Sequence, residues 1–167
     1  MAEGAEAMMT PDPASFRTVL GHFATGVTVI AAMEDGHPVG VAANSFTSVA
    51  LDPPLVLFCA AKNSSTWPRI RNAAKFAVSI LGDDQEDVCR VFASPGADRF
   101  SQIGYRLSAA TGSPILHDAI AYVDCETERE IDAGDHVIVI GRALELGVLR
   151  HADPLLYYRG GYHSLQP

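Results

Sequence analysis

Apolar and polar positions along the chain divide it into a short helical start and a long run of strands. Phe16, Val19, Leu20 and Phe23 recur at three- and four-residue spacing behind Pro11-Asp12-Pro13-Ala14-Ser15. That pattern predicts a helix with one apolar face, ended by Gly26. From there the period changes. Val27 to Ala32 is a β-branched run and reads as a strand. Asp35-Gly36 is a hairpin turn pair, and Val39 to Ala43 is the returning strand. Asp52-Pro53-Pro54 forces extended or turn geometry. Leu55 to Ala60 is unbroken apolar sequence, the pattern of a strand buried on both faces.

Further along, Ser64-Ser65-Thr66 offers capping hydroxyls, and Pro68 suits the first turn of a following helix. Phe76 to Leu81 reads as a strand, and Asp83-Asp84 opens a short helix ending near Phe92. Residues 93–112 have no clean period and predict irregular structure. Ala119 to Ile131 alternates in part, with Ile120, Tyr122 and Asp124 on one side. Gly134-Asp135-His136 is a turn, Val137 to Leu149 a strand with a bulge near Gly141, and Leu155 to Tyr158 the last strand. Six or seven strands and three short helices, without regular alternation, predict a mainly β fold. An antiparallel barrel or sandwich fits better than a parallel sheet.

Composition bounds what such a fold does. The chain has 167 residues and 48% apolar content, which suits one globular domain. We assign residues 1–12 to an N-terminal tail and 13–167 to that domain. The balance of 20 acidic against 12 basic residues gives a net charge of −8. That disfavours nucleic acid and an anionic membrane surface as partners. Met1 to Thr10 shows no basic residue ahead of an apolar core, so no signal peptide is expected and the expected compartment is the cytoplasm. Cys59, Cys89 and Cys125 form no C-x-x-C, and the six histidines show no metal-ligand spacing, so no metal is expected. Dinucleotide, Walker, zinc-protease and nucleophile-elbow signatures are missing.

Four polar clusters remain. Ala43-Asn44-Ser45-Phe46-Thr47-Ser48 supplies an amide and three hydroxyls after a strand. Ala61-Lys62-Asn63-Ser64-Ser65-Thr66-Trp67 joins hydroxyls and one lysine at a helix start, a pattern that suits an anion. Gly134-Asp135-His136 can aim an imidazole over a pocket. Tyr157-Tyr158-Arg159-Gly160-Gly161-Tyr162 can stack on a planar ligand and hold its phosphate. Each also has a plain reading as a cap, a turn or an aromatic edge.

In this order, Thr25-Gly26-Val27-Thr28-Val29-Ile30, Ala43-Asn44-Ser45-Phe46-Thr47-Ser48-Val49, Asp52-Pro53-Pro54-Leu55-Val56, Gly134-Asp135-His136 and Tyr158-Arg159 resemble the short-chain flavin reductases. These are the reductase components of two-component flavin-dependent monooxygenases. The resemblance spans Phe16 to Tyr162. It implies a split β-barrel that binds FMN or FAD, usually as a homodimer, and takes a hydride from NADH or NADPH. A separate oxygenase component then receives the reduced flavin.

It also implies site residues. Pro38, Val39, Gly40, Val41 and Ala42, then Asn44 and Ser45, would line the flavin ring and ribityl chain. Cys59, Ala60 and Ala61 would touch it by backbone, Ser65 and Thr66 would hold its phosphate, and Phe92 would add a contact. His136 would sit against the nicotinamide, and Tyr157, Tyr158, Arg159 and Gly160 would help bind the pyridine nucleotide. Some relatives carry arginine directly before the residue matching Phe92; here Val91 stands there and Arg90 precedes it. A flavin-binding module without reductase activity, or a flavin or deazaflavin oxidoreductase with its own substrate, are the alternative readings.

Overall fold

Residues 10–96 and 98–165 are described by a computed structural model, and they place the first helix (α1) at Pro13–Leu20. Most of the expected tail, residues 1–9, lies outside the described residues. Asp12 caps α1, accepting from the Ala14 and Ser15 amides at 3.0 Å each, and Pro13 occupies the first turn. The apolar face exists as expected, but it is uncovered: Phe16 is 58% and Phe23 72% exposed.

The strands that follow are β1 (Thr25–Gly26), β2 (Thr28–Glu34), β3 (His37–Ala43), β4 (Thr47–Leu51) and β5 (Pro54–Ala61). Helix α2 (Trp67–Ala73) leads to β6 (Lys75–Ile80), and a 3₁₀ turn opens α3 (Glu86–Ala93). Then come β7 (Tyr105–Leu107), β8 (Pro114–Leu116), β9 (Ala121–Ala133), β10 (His136–Val148), β11 (Leu156–Tyr158) and β12 (Gly161–His163). Seven strands form the main sheet in the order β3-β2-β6-β9-β10-β5-β4, antiparallel throughout. Three more, β1, β11 and β12, form a small sheet, and β7 pairs with β8.

The main sheet curls around one core. Ile30, Val39, Phe58, Phe76, Cys125 and Val139, from six different strands, belong to a single buried cluster. Its edges, β3 and β4, follow one another in the chain through residues 44–46, yet no ladder joins them. The architecture is therefore an antiparallel barrel left open along one seam, the split barrel expected. A second cluster, with Val29, Ala31, Leu81, Phe92 and Leu155, lies on the outer face.

Two expectations change. Leu55 to Ala60 is not buried on both faces. Val56, Phe58 and Ala60 point into the core while Leu55, Leu57 and Cys59 stay half-exposed. The doubly buried strand is β2, with Ile30 in one cluster and Val29 and Ala31 in the other. Second, the chain does not end on β11, because Gly160 (φ 81°) turns it into β12. The bulge expected near Gly141 is present, with a register shift between Ile140 and Gly141. A Cβ at Gly141 would stand 2.5 Å from the Phe76 ring, so the bulge seats a buried aromatic against bare backbone.

Candidate functional site

The seam of the barrel holds a cavity of about 280 Å³ between the end of β3 and the end of β5. Ala42, Ala43, Ala60 and Ala61 line it together with Asn44 and His136. Four small side chains leave a flat slot. The Gly40 carbonyl points away from β2 and accepts from Arg99. Antiparallel alternation then puts the peptide groups of Gly40 and Ala42 on the open edge of β3. Ser45 extends the ladder where β4 stops: its Oγ accepts from the Cys59 amide at 2.9 Å and lies 3.3 Å from the Cys59 carbonyl. The Asn44 side chain makes no hydrogen bond among the described residues. It lies on the wall of this cavity and of two neighbouring clefts of about 970 and 210 Å³.

Below the slot, the expected anion site is built differently from its sequence. Lys62 is taken by Asp132 at 3.1 Å. Ser65 is exposed and lines none of these cavities. It is Ser64 that caps α2, accepting from the Thr66 and Trp67 amides at 3.2 Å each. Thr66 is buried, and its Oγ1 accepts from Arg99 Nη1 at 3.0 Å. Arg99 also donates to the Gly40 carbonyl at 2.6 Å and twice to the Ser94 carbonyl. No carboxylate pairs with it among the described residues. Burial pulls its pKa below the usual arginine range, though a guanidinium stays protonated.

Pro38, Val39, Gly40, Thr66, Arg69 and Arg99 enclose a crevice of about 20 Å³, room for one water. The second cation there, Arg69, is neutralised by Glu34 at 2.5 Å. Arg99 is thus the free positive charge at Thr66, and the sequence reading missed it. It lies in the aperiodic segment, and no motif marks a lone arginine before Phe100.

Other expected residues divide between wall and support. Val39 and Phe92 are buried in the core. Phe92 faces no cavity among these; it meets Phe100 edge-on at 4.9 Å, and a Cβ at Gly40 would meet its ring at 3.0 Å. Its place in the fold is support under β3. Arg90 pairs with Glu86 along α3 and stands over the Tyr162 ring at 5.1 Å, away from Thr66. Tyr157 and Gly160 line the 970 Å³ cleft, whereas Tyr158 and Arg159 turn outward.

His136 is the first residue of β10, opposite Ala61, because Gly134 (φ 61°) and Asp135 close a two-residue turn. Its Nδ1 lies 2.8 Å from Asp135 Oδ1, and its Nε2 has no partner among the described residues. The hydrogen bond from His136, with the imidazole's charge, holds the Asp135 carboxyl below the usual carboxylate range. The three cysteines are free. Burial pushes the Cys125 thiol up to about 12 and raises that of Cys89, so neither supplies a thiolate.

A flat slot, a cation beside a buried hydroxyl and an oriented imidazole at the rim suit a planar, phosphate-bearing redox cofactor. The residues fit a flavin. The family model for the flavin reductase-like domain matches residues 20–166, and the chain belongs to that family. It is an oxidoreductase that reduces flavin. The chain is 44% identical to the reductase subunit HsaB of a flavin-dependent monooxygenase from Rhodococcus jostii, over 99% of this chain and 84% of that one. It is 49% identical to a flavin reductase of Pseudomonas putida, over 90% and 89%. Among solved structures, it matches the NADH:FAD oxidoreductase of Streptomyces globisporus, solved with NAD and FAD fragments, at a TM-score of 0.90. Identity there is 35%, over 98% of each chain.

Proposed function

We propose that this chain takes a hydride from NADH or NADPH to FMN or FAD in the seam of its barrel and releases the reduced flavin to a separate oxygenase. The observation that carries the reading is the slot between β3 and β5, with His136 at its rim and the Arg99–Thr66 pair beneath it. The nicotinamide supplies the hydride and the flavin accepts it, so no side-chain nucleophile is required.

The chain's own residues bind and orient. In this reading the backbone of Ala42 and Ala61 faces the ring, Asn44 and Ser45 the ribityl chain, and Thr66 with Arg99 the phosphate, with Gly40 holding Arg99 in place. His136, held by Asp135, aligns the nicotinamide. An enzyme that gives its flavin away has reason to hold it through peptide edges and one arginine rather than a covalent link. The compartment in this reading is the cytoplasm, where reduced nicotinamide is at hand. Three free cysteines agree with it, and no helix among the described residues is long and apolar enough to cross a membrane.

The functional unit in this reading is a homodimer. Val49 is 46% and Leu51 93% exposed on β4, beside the half-exposed Leu55 and Leu57 of β5. A second copy is the partner that a self-complementary apolar face suits. Sedimentation velocity at micromolar concentration should give twice the 17.8 kDa chain mass; a single monomeric species overturns this part.

Mixing the protein with NADH and FMN or FAD, and following loss of the nicotinamide absorbance, tests the activity directly. A flavin-binding module would bind flavin and leave NADH unchanged. His136→Ala should raise the KM for NADH about tenfold, since one positioning contact is worth about 1–1.5 kcal/mol. Its flavin affinity should stay the same. Loss of flavin affinity with an unmoved KM would place His136 in the flavin site instead.

A further inference from the structure

The 970 Å³ cleft next to the slot is unusual for so acidic a chain. Its lining includes Phe16, Arg17 and Phe23 from α1 and its C-terminal extension, Asn44 and Ser45 from the seam, and Tyr157 from β11. No aspartate or glutamate lines it, although the chain carries 20 acidic residues. Arg17 is its one charge, and its side chain makes no ion pair or hydrogen bond among the described residues. Thr25 Oγ1, the one buried side-chain oxygen without a hydrogen-bond partner among those residues, belongs to the same wall.

The cleft adjoins the slot, and Asn44 and Ser45 line both. Arg17 also stands close enough to the β9–β10 turn that its charge helps hold the Asp135 carboxyl down, after the larger effects of the His136 hydrogen bond and charge. The wall is fixed to the nucleotide segment of the sequence: the Arg159 amide donates to the Gly21 carbonyl at 2.8 Å, and His22 meets Tyr158 edge-on at 6.3 Å.

We infer that Arg17 binds the diphosphate of the pyridine nucleotide, and that the cleft beside it takes the adenosine half. This rests on the reading of His136 as the nicotinamide contact. A dinucleotide anchored there by its nicotinamide carries two negative charges and an aromatic base away from the ring. The cleft offers what those need: an uncompensated guanidinium, no opposing carboxylate, and aromatic side chains of Phe16, Phe23 and Tyr157. Arg17 is a binding residue here and takes no part in hydride transfer.

Two measurements on Arg17→Ala and Arg17→Lys test this. The first is calorimetric binding of ADP-ribose, which carries the diphosphate and adenosine without the nicotinamide. Arg17→Ala should weaken it about tenfold, with Arg17→Lys recovering part of the loss. The second is the ratio of kcat/KM for NADH to that for 1-benzyl-1,4-dihydronicotinamide, which has no phosphate. That ratio should fall about tenfold in Arg17→Ala. Circular dichroism and Tm confirm that the variants fold, which the absence of buried residues in α1 favours. Equal ADP-ribose affinity in wild type and Arg17→Ala overturns the inference, as does an equal loss with both hydride donors. A wild type that binds ADP-ribose through Arg17 but oxidises neither donor would overturn the proposed activity and leave this site standing.

Discussion

Replacing Arg99 by alanine should weaken flavin binding by roughly 10- to 150-fold, equivalent to about 1.5–3 kcal/mol for a hydrogen bond to a charged group. The guanidinium is the one cation at the Thr66 hydroxyl that has no carboxylate partner among the described residues. Its four hydrogen bonds to Gly40, Thr66 and Ser94 fix its position before any anion arrives, so little ordering entropy is lost on binding. Arg99→Lys should recover only part of the affinity, because an ammonium cannot span Gly40, Thr66 and Ser94 together. Thr66→Ala should cost about tenfold and Ser65→Ala almost nothing, since Thr66 meets Arg99 and Ser65 faces solvent. Titration of flavin fluorescence measures all four. An unchanged dissociation constant in Arg99→Ala would remove the phosphate from this crevice.

The division between Thr66 and Ser65 shows where the sequence stops being informative. Hydroxyls ahead of Pro68 mark a helix start, but which one caps the helix depends on the path of the loop after Ala61. Ser64 took that role, leaving Thr66 free for Arg99. The hairpins were legible for a firmer reason. A two-residue turn needs positive φ, and Asp35 (48°), Gly36 (77°) and Gly134 (61°) are residue types that adopt it at low cost. His136 was therefore legible as a rim residue, since the turn before it was.

Burial along β5 was not legible, because a continuous apolar run is compatible with one covered face or two. The difference lies in what stands opposite, and β5 has the core on one side only. The short strands β7, β8 and β12 had no periodicity to read at three residues each. They persist through tertiary contacts, and Arg99 went unnoticed because it sits in the aperiodic stretch, residues 93–112, that also holds β7.

Asp124 supplies one of those contacts, and Asp124→Ala should lower stability by about 2–4 kcal/mol through the loss of a buried acceptor. For a domain of this size that is a fall in Tm of roughly 5–15 °C. The carboxylate is fully buried in β9 and has no cation against it. It accepts from the Thr111 amide at 3.1 Å and from the Thr111 hydroxyl, and Ser108 and Ser113 close the cluster around Thr111. Removing it takes the shared acceptor from the Thr111 amide and hydroxyl and leaves them the Ser108 and Ser113 hydroxyls alone, whereas Asp124→Asn keeps one acceptor and should cost less than half as much.

The cluster clamps the β7–β8 hairpin to the main sheet, and the effect should reach the candidate site by contact. Tyr105 of β7 meets Phe100 edge-on at 5.2 Å, and Phe100 meets Phe92 edge-on at 4.9 Å, with Arg99 next in the chain. A loosened hairpin frees the segment that holds the guanidinium in place. Trypsin should then cut native Asp124→Ala faster after Arg99 and Arg106 than it cuts wild type, at temperatures well below the Tm of either. A Tm unmoved by Asp124→Ala would mean that the hairpin is held by its apolar contacts alone. A lowered Tm with unchanged cleavage at Arg99 would confine the clamp to β7 and β8 and uncouple it from the phosphate crevice.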